Sequence, residues 1–283
     1  MKALLFGGLV LATAGCATTK MDRTDYASVN GLRMYYEEHG RGAPLVLLHG
    51  GGSTVQTSFG AILPKLARTH HVIAPEQQGH GHTADVDRPL SFEQMADDTA
   101  ALLEHLGVRH TDVLGFSNGG MVALQLAIRH PTLVRRLIIC SSFYAHEGLS
   151  PELRQGFEHA SVADMPAPLR DAYLAVAPHP EALPVFVAKT VAMMRSFTDL
   201  SAAQLRAIAA PTLVMIGDAD VVLPEHSFQL ARLVPHGQLA VFPGSGHGTY
   251  LGVAEAAKPG SPLPDLAVTM IEAFLNEREP PSR

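Results

Sequence analysis

The feature that most constrains this chain is a series of short, unbroken apolar runs separated by longer stretches with helical spacing. The runs are residues 44–48 (PLVLL), 71–74 (HVIA), 111–116 (TDVLGF), 136–140 (RLIIC), 212–216 (TLVMI) and 238–242 (QLAVF). A strand with one wet face alternates apolar and polar residues, whereas a continuous run marks a strand covered on both faces. Between the runs, apolar residues recur at helical intervals, as in Phe92, Met95, Leu102, Leu103 and Leu106. Strand–helix alternation at this spacing predicts an α/β fold, a mostly parallel sheet with helices on both faces. Ahead of it, residues 26–29 and 32–38 read as an antiparallel pair joined by the turn Asn30-Gly31.

Local signals set several boundaries. Residues 55–68 have helical spacing with a break expected at Pro64. Ser91 and Gln94 have the spacing of a capping box, and Gly107 suits the end of that helix. Further helices are read over residues 121–129 and 266–275. Residues 143–200 interrupt the alternation with no clear strand and with six prolines, Pro151, Pro166, Pro168, Pro178, Pro180 and Pro184. They read as a helical insertion over one end of the sheet. Met165, Met193, Met194, Phe157, Tyr173, Phe186 and Phe197 suit either a lid over an apolar pocket or plain helix packing.

Composition excludes whole classes of function. With 283 residues, 47% hydrophobic and 17% charged, the chain can bury a core and is not disordered. A net charge of −6 argues against nucleic acid as a partner. Two cysteines make no disulfide framework, and Cys140, inside an apolar run, reads as a buried structural thiol. His70, His71, His80 and His82 lack cysteine or carboxylate partners at ligand spacing, so no metal is expected.

The first residues read as an export signal. Lys2 precedes an apolar stretch over residues 3–14, too short for a comfortable membrane span. Thr13-Ala14-Gly15-Cys16 is similar to a bacterial lipobox, although Thr13 stands where leucine is usual. The reading is a cell-envelope lipoprotein tethered through Cys16; ordinary cleavage near residues 12–14 would instead give a periplasmic or secreted protein.

Chemistry concentrates at three turns. Gly115-Phe116-Ser117-Asn118-Gly119 is a GxSxG between a strand and a helix, where the turn strains the serine and exposes its hydroxyl near a helix N-terminus. His49-Gly50-Gly51-Gly52 follows the first parallel strand. A Gly51 N–H paired with the Asn118 N–H would form an oxyanion hole, and His49 reads as a support of the turn. Two late turns, Gly217-Asp218-Ala219-Asp220 and Ser245-Gly246-His247-Gly248, would bring an acid and a histidine to the same sheet edge in the order Ser…Asp…His. His247 would take the Ser117 proton, and the acid would hold its tautomer.

At these residues the chain resembles the α/β-hydrolase fold family, in particular its capped, esterase-like members, over residues 26–275. The resemblance implies a triad of Ser117, Asp220 and His247, with Asp218 as a turn residue and His226 and His236 as poorer candidates. The N-terminal reading gives a signal at residues 1–15 and a tether at 16–24; the resemblance implies core at 25–142, a helical cap at 143–200 after the sixth strand, and the rest of the core at 201–283. A serine nucleophile sets the chain apart from relatives that use aspartate, such as haloalkane dehalogenases and epoxide hydrolases. One departure is Glu76-Gln77-Gln78-Gly79-His80-Gly81, where many relatives read Asp-x-Arg-Gly-x-Gly. The implied activity is cofactor-free hydrolysis of small or medium carboxylic esters through an acyl-enzyme. A lactonase, thioester or C–C hydrolase on the same triad is the alternative. A ligand-binding envelope protein of hydrolase fold is the non-enzymatic one.

Overall fold

The computed structural model describes residues 22–277. The expected signal, Cys16 and most of the expected tether lie outside the described residues. Eight strands form one sheet: β1 (Asp22–Val29), β2 (Leu32–Gly40), β3 (Ala43–Leu48), β4 (His70–Pro75), β5 (Thr111–Phe116), β6 (Val134–Cys140), β7 (Thr212–Gly217) and β8 (Gly237–Phe242). Their order is β1-β2-β4-β3-β5-β6-β7-β8. β1 and β2 pair antiparallel, as do β2 and β4, and every other pair is parallel. The strand β1 starts earlier than the sequence suggested. Asp22, Arg23 and Thr24, expected as tether, pair with His39, Glu38 and Glu37. The turn between β1 and β2 holds Asn30 and Gly31 at φ 48° and 79°, the left-handed pair that a two-residue hairpin needs.

Ten α-helices and four short 3-10 turns complete the described fold, the α-helices being α1 (Val55–Phe59), α2 (Leu63–Leu66), α3 (Phe92–His105), α4 (Asn118–Arg129), α5 (Pro151–His159), α6 (Ala167–Val176), α7 (Leu183–Ser196), α8 (Ala202–Arg206), α9 (Pro224–Leu233) and α10 (Leu263–Leu275). None of them is long and apolar enough to cross a membrane. The continuous apolar runs are explained by two separate cores. Leu45 and Leu47 of β3 join Val55, Phe59, Ile271 and Phe274 on one face. Val46 and Leu48 join Met95, Leu103, Met121 and Val122 on the other. All four β3 leucine and valine side chains are fully buried.

Three local readings needed revision. The helix expected over residues 55–68 is two short helices, and the break falls between Phe59 and Leu63 rather than at Pro64. Pro64 sits in the first turn of α2, where its missing N–H costs nothing. α4 starts at Asn118, three residues before the apolar pattern suggested, because Ser117 itself is its cap position. At α3, Ser91 Oγ accepts the Gln94 N–H at 3.2 Å, but the Gln94 side chain turns to Asp98 at 2.9 Å. A buried carboxylate is a stronger acceptor for that amide than the Ser91 backbone is a donor to its oxygen.

Sheet order places the site. β3 and β5 are neighbours, yet β3 leads to β4 on one side and β5 to β6 on the other. Connections leaving in opposite directions open a crevice at the carboxyl ends of such strands. The loop after β3 and the turn after β5 both end there. Between β6 and β7 run α5, α6, α7 and α8, with no strand among them.

Candidate active site

Ser117 stands at the end of β5 with φ 54° and ψ −122°, a strained conformation for a residue with a side chain. The frame around it is rigid. Its N–H donates to the Cys140 carbonyl at 2.9 Å, and its carbonyl accepts from the Gly120 N–H at 2.9 Å and Ser142 Oγ at 2.7 Å. The glycines of the motif are steric necessities. A Cβ on Gly119 would lie 2.5 Å from the Leu48 carbonyl carbon, and one on Gly115 2.5 Å from the Gly119 carbonyl carbon.

The late turns meet Ser117 as the sequence implied. Ser117 Oγ is 3.0 Å from His247 Nε2, and His247 Nδ1 is 2.7 Å from Asp220 Oδ1. With Asp220 ionised, Nδ1 carries the proton, and Nε2 is left to accept from the serine hydroxyl. The Asp220 side chain is wholly buried. Burial pushes its carboxyl up, but the bonds from His247, Ser141 and the Val222 N–H outweigh this and hold it below the usual carboxylate range. Asp218 is a turn residue: its Oδ1 accepts the Ser245 N–H at 3.2 Å, tying the two late turns together. His226 in α9 is buried on the Tyr144 ring and accepts the Tyr144 N–H at 3.2 Å. His236 contributes a carbonyl to the Thr212 N–H.

Gly51 and Asn118 are brought together: a Cβ on Gly51 would lie 2.5 Å from Asn118 Nδ2. Neither backbone N–H has an acceptor among the described residues. N–H groups without a protein acceptor, here one on the residue after Ser117 and one on the loop after β3, are the kind of donor that can receive the charge of a tetrahedral oxyanion. Across the loop, Met165 Cε lies 3.2 Å and Leu169 Cδ1 4.0 Å from a Cβ built on Gly52. The segment between β6 and β7 thus lays apolar groups against the glycine loop after β3.

Sequence reasoning missed the supports of Asp220. Ser141, immediately after β6, donates to Asp220 Oδ2 at 2.6 Å and is itself at φ 47°. The Tyr250 hydroxyl lies 3.0 Å from Ser141 Oγ and 2.9 Å from the Met215 carbonyl. No spacing rule links positions 141, 220 and 250; only the pairing of β6 with β7 does.

The atypical loop after β4 has its own solution. Gln78 Nε2 donates to Asp85 Oδ1 at 2.7 Å and to the Val86 and Arg88 carbonyls, and Arg88 Nε donates to Gln78 Oε1 at 2.5 Å. Arg88 also pairs with the buried Asp98. A guanidinium is therefore present, supplied from ten residues further on. Glu76 accepts the Val55 N–H at 3.1 Å and the His82 N–H at 2.6 Å. The four histidines considered for metal bind different partners: His70 Thr69, His71 Glu38, His80 the Gln78 carbonyl and His82 Glu76.

His49 supports its turn. Its Nδ1 lies 2.9 Å from the Gly50 carbonyl and its Nε2 accepts the Gln77 N–H at 3.0 Å. Burial lowers the affinity of three imidazoles for protons: His49, His80, to about 3, and His226, to about 4. Unfolded histidine titrates near ~6.5, so as pH falls the unfolded chain takes up these protons first. Stability is expected to drop between about pH 6.5 and pH 4, by up to about 1.4 kcal/mol per unit for each of His80 and His226, offset in part by His39 and His82, which Glu37 and Glu76 raise. Urea midpoints at pH 6.5, 5.5 and 4.5 check this; a flat series would refute it.

The sequence model of the alpha/beta hydrolase family matches residues 45–257. The chain is 32% identical over 244 residues to a 2-hydroxymuconate semialdehyde hydrolase of Pseudomonas sp. (strain CF600), spanning 78% of this chain and 86% of that protein. A meta-cleavage product hydrolase from Pseudomonas fluorescens IP01 superposes with a TM-score of 0.73 at 20% identity, over 90% of this chain and 97% of that one. A thermophilic esterase from Thermogutta terrifontis gives 0.69 at 26% identity, over 91% and 98%. In sheet order, in the turn at Ser117 and in sequence, the chain belongs to the alpha/beta hydrolase family and is a hydrolase of that fold.

Proposed function

We propose that this hydrolase cleaves small or medium carboxylic esters through a covalent acyl-enzyme on Ser117. The observation that carries the reading is the unbroken chain Ser117–His247–Asp220, at 3.0 and 2.7 Å, on a strained serine. Ser117 Oγ attacks the ester carbonyl as His247 Nε2 takes its proton, and the Gly51 and Asn118 N–H groups receive the oxyanion. His247 returns the proton to the departing alcohol. A water then gives its proton to His247 and attacks the acyl-enzyme, freeing the acid and restoring Ser117.

The similarity to 2-hydroxymuconate semialdehyde hydrolase favours a second reading, hydrolysis of a C–C bond on the same triad. The name of that relative's substrate denotes a carboxylate, which calls for a cation. Here the groups against the oxyanion loop are Met165 and Leu169. Lys189, Arg170 and Arg195 of the neighbouring helices are paired with Asp85, Asp171 and Glu158. An uncharged acyl chain suits that wall better.

The test is a panel of p-nitrophenyl butyrate, a γ-lactone and 2-hydroxymuconate semialdehyde, with a fluorophosphonate probe and intact mass. Ester turnover with one adduct on Ser117 supports the proposal. Turnover of the lactone alone, or of the semialdehyde alone, replaces it with that chemistry. A folded protein with neither turnover nor adduct points to the ligand-binding alternative.

Ser141→Ala is expected to lower kcat roughly ten- to a hundredfold with KM little changed, since a hydrogen bond to a buried charge contributes about 1.5–3 kcal/mol. Steady-state kinetics separate this from a packing defect, which would lower Tm and leave kcat per folded molecule intact.

A further inference from the structure

An open cleft of about 430 Å³ lies on the seam between the loop after β4 and the segment between β6 and β7. Asp85, Val86 and Asp87 line its core side, and Tyr173 of α6, Glu181 before α7 and Lys189 within α7 line the other. Ser117, Asp220, His247 and the glycine loop take no part in it. Three carboxylates face one ammonium there. The ammonium is fully engaged: Lys189 Nζ donates to Asp85 Oδ2 at 2.6 Å and to the Val86 and Arg88 carbonyls at 2.8 and 3.0 Å. A lysine has three N–H donors, so none is left for an anion. Asp85 is engaged as well, by Lys189 and by Gln78 at 2.7 Å. Asp87 has no hydrogen bond or ion pair among the described residues. Glu181 meets only His179, at 3.4 Å.

Tyr173 sets this cleft apart from an ordinary acidic surface. Its side chain is 5% exposed and stacks on Phe186 with ring centroids 5.5 Å apart. A buried tyrosine hydroxyl usually has a partner. This one has none among the described residues, yet it is not one of the enclosed unpaired polar atoms, so it opens into the cleft. Burial, and after it the charges of Asp85 and Glu181, push its pKa up, which keeps it a neutral acceptor. No three histidine or carboxylate groups among the described residues converge as metal ligands. The acceptors are instead spread along a wall that also holds Ala177, Pro178 and Val185. Spread acceptors beside apolar groups fit a protonated amine on an apolar body. We infer that the cleft binds a primary amine of this kind, its ammonium donating to the Tyr173 hydroxyl and facing Asp87 and Glu181. Because the lining comes from both sides of the seam, the ligand joins the loop after β4 to α6 and α7.

Calorimetry with benzylamine and benzyl alcohol tests this without reference to turnover, since the two share ring and size and differ in one positive charge. At about pH 7.5 the wild-type protein is expected to bind the amine about fivefold or more tightly than the alcohol. Joint replacement Asp87→Asn and Glu181→Gln should bring the two affinities within about twofold of each other. Both side chains are exposed, so the fold should survive their loss, which circular dichroism checks. Tyr173→Phe keeps the stack on Phe186 and removes only the hydroxyl; it should weaken amine binding about threefold or more. Added salt should weaken the amine and spare the alcohol. Absent binding of benzylamine overturns the inference, and so does equal affinity for amine and alcohol. Amine binding that both the carboxylate replacements and Tyr173→Phe leave unchanged places the amine elsewhere on the protein and overturns it too.

Discussion

Ser117→Ala is expected to abolish ester turnover, lowering kcat roughly 10⁴- to 10⁶-fold, while the protein stays folded. Both halves follow from geometry. The hydroxyl makes no cap bond for α4 and reaches only His247, so its removal takes nothing from the helix. The backbone strain at φ 54° is the same for alanine as for serine. What disappears is the atom that attacks the ester, and no other described hydroxyl lies within hydrogen-bond distance of His247 Nε2 to replace it. Wild type and variant should share one thermal transition. The fluorophosphonate adduct should appear in the first and be absent from the second. Retained turnover in the variant would mean that another group is the nucleophile.

Gly119→Ala should act on the fold. The new methyl would be driven into the Leu48 carbonyl, with the His49 carbonyl oxygen only 2.6 Å away. Leu48 ends β3 and His49 follows it directly, and β3 is paired on one side with β4 and on the other with β5. They cannot yield without opening the middle of the sheet. α4 would have to lift off β3 and take the turn at Ser117 with it. The expected cost exceeds about 4 kcal/mol, a fall in Tm on the order of 10 °C or more, or recovery as insoluble protein. Gly156→Ala is the control. Gly156 lies within α5 with nothing near its would-be Cβ, so alanine there should raise stability by about 1 kcal/mol or less. Circular dichroism melts of the two variants separate a steric role at Gly119 from a general response to glycine loss. Equal melting temperatures would refute it.

Much of this site can be read from local sequence because its constraints are local. The glycines flanking Ser117 and the glycines after β3 are demanded by contacts within a few residues or with the next strand, and such demands leave a visible pattern. The acid and the histidine were legible as types after given strands. The choice of Asp220 over Asp218 rests on which one faces His247, and a turn of four residues does not reveal that. Ser141, Tyr250 and Gln78 were illegible for a related reason. Each is polar in a stretch where polar residues are common, and each matters because of a partner far away in the chain or on another strand. Ser141 is bound to a residue 79 positions on. Gln78 does its work only with Arg88, whose pairing requires the loop to fold back.

By itself the sequence determined the strand-rich α/β architecture, because apolar runs that cannot show a wet face leave the chain few ways to cover them. It also determined that a serine would sit on a tight turn between a strand and a helix. Tertiary structure alone decided where the break between α1 and α2 falls, how the loop after β4 replaces its missing arginine, and which groups hold Asp220. Periodicity records how a residue faces its own helix or strand. The partners of a charge are set by the order of strands in the sheet, and that order is written in no single stretch of the chain.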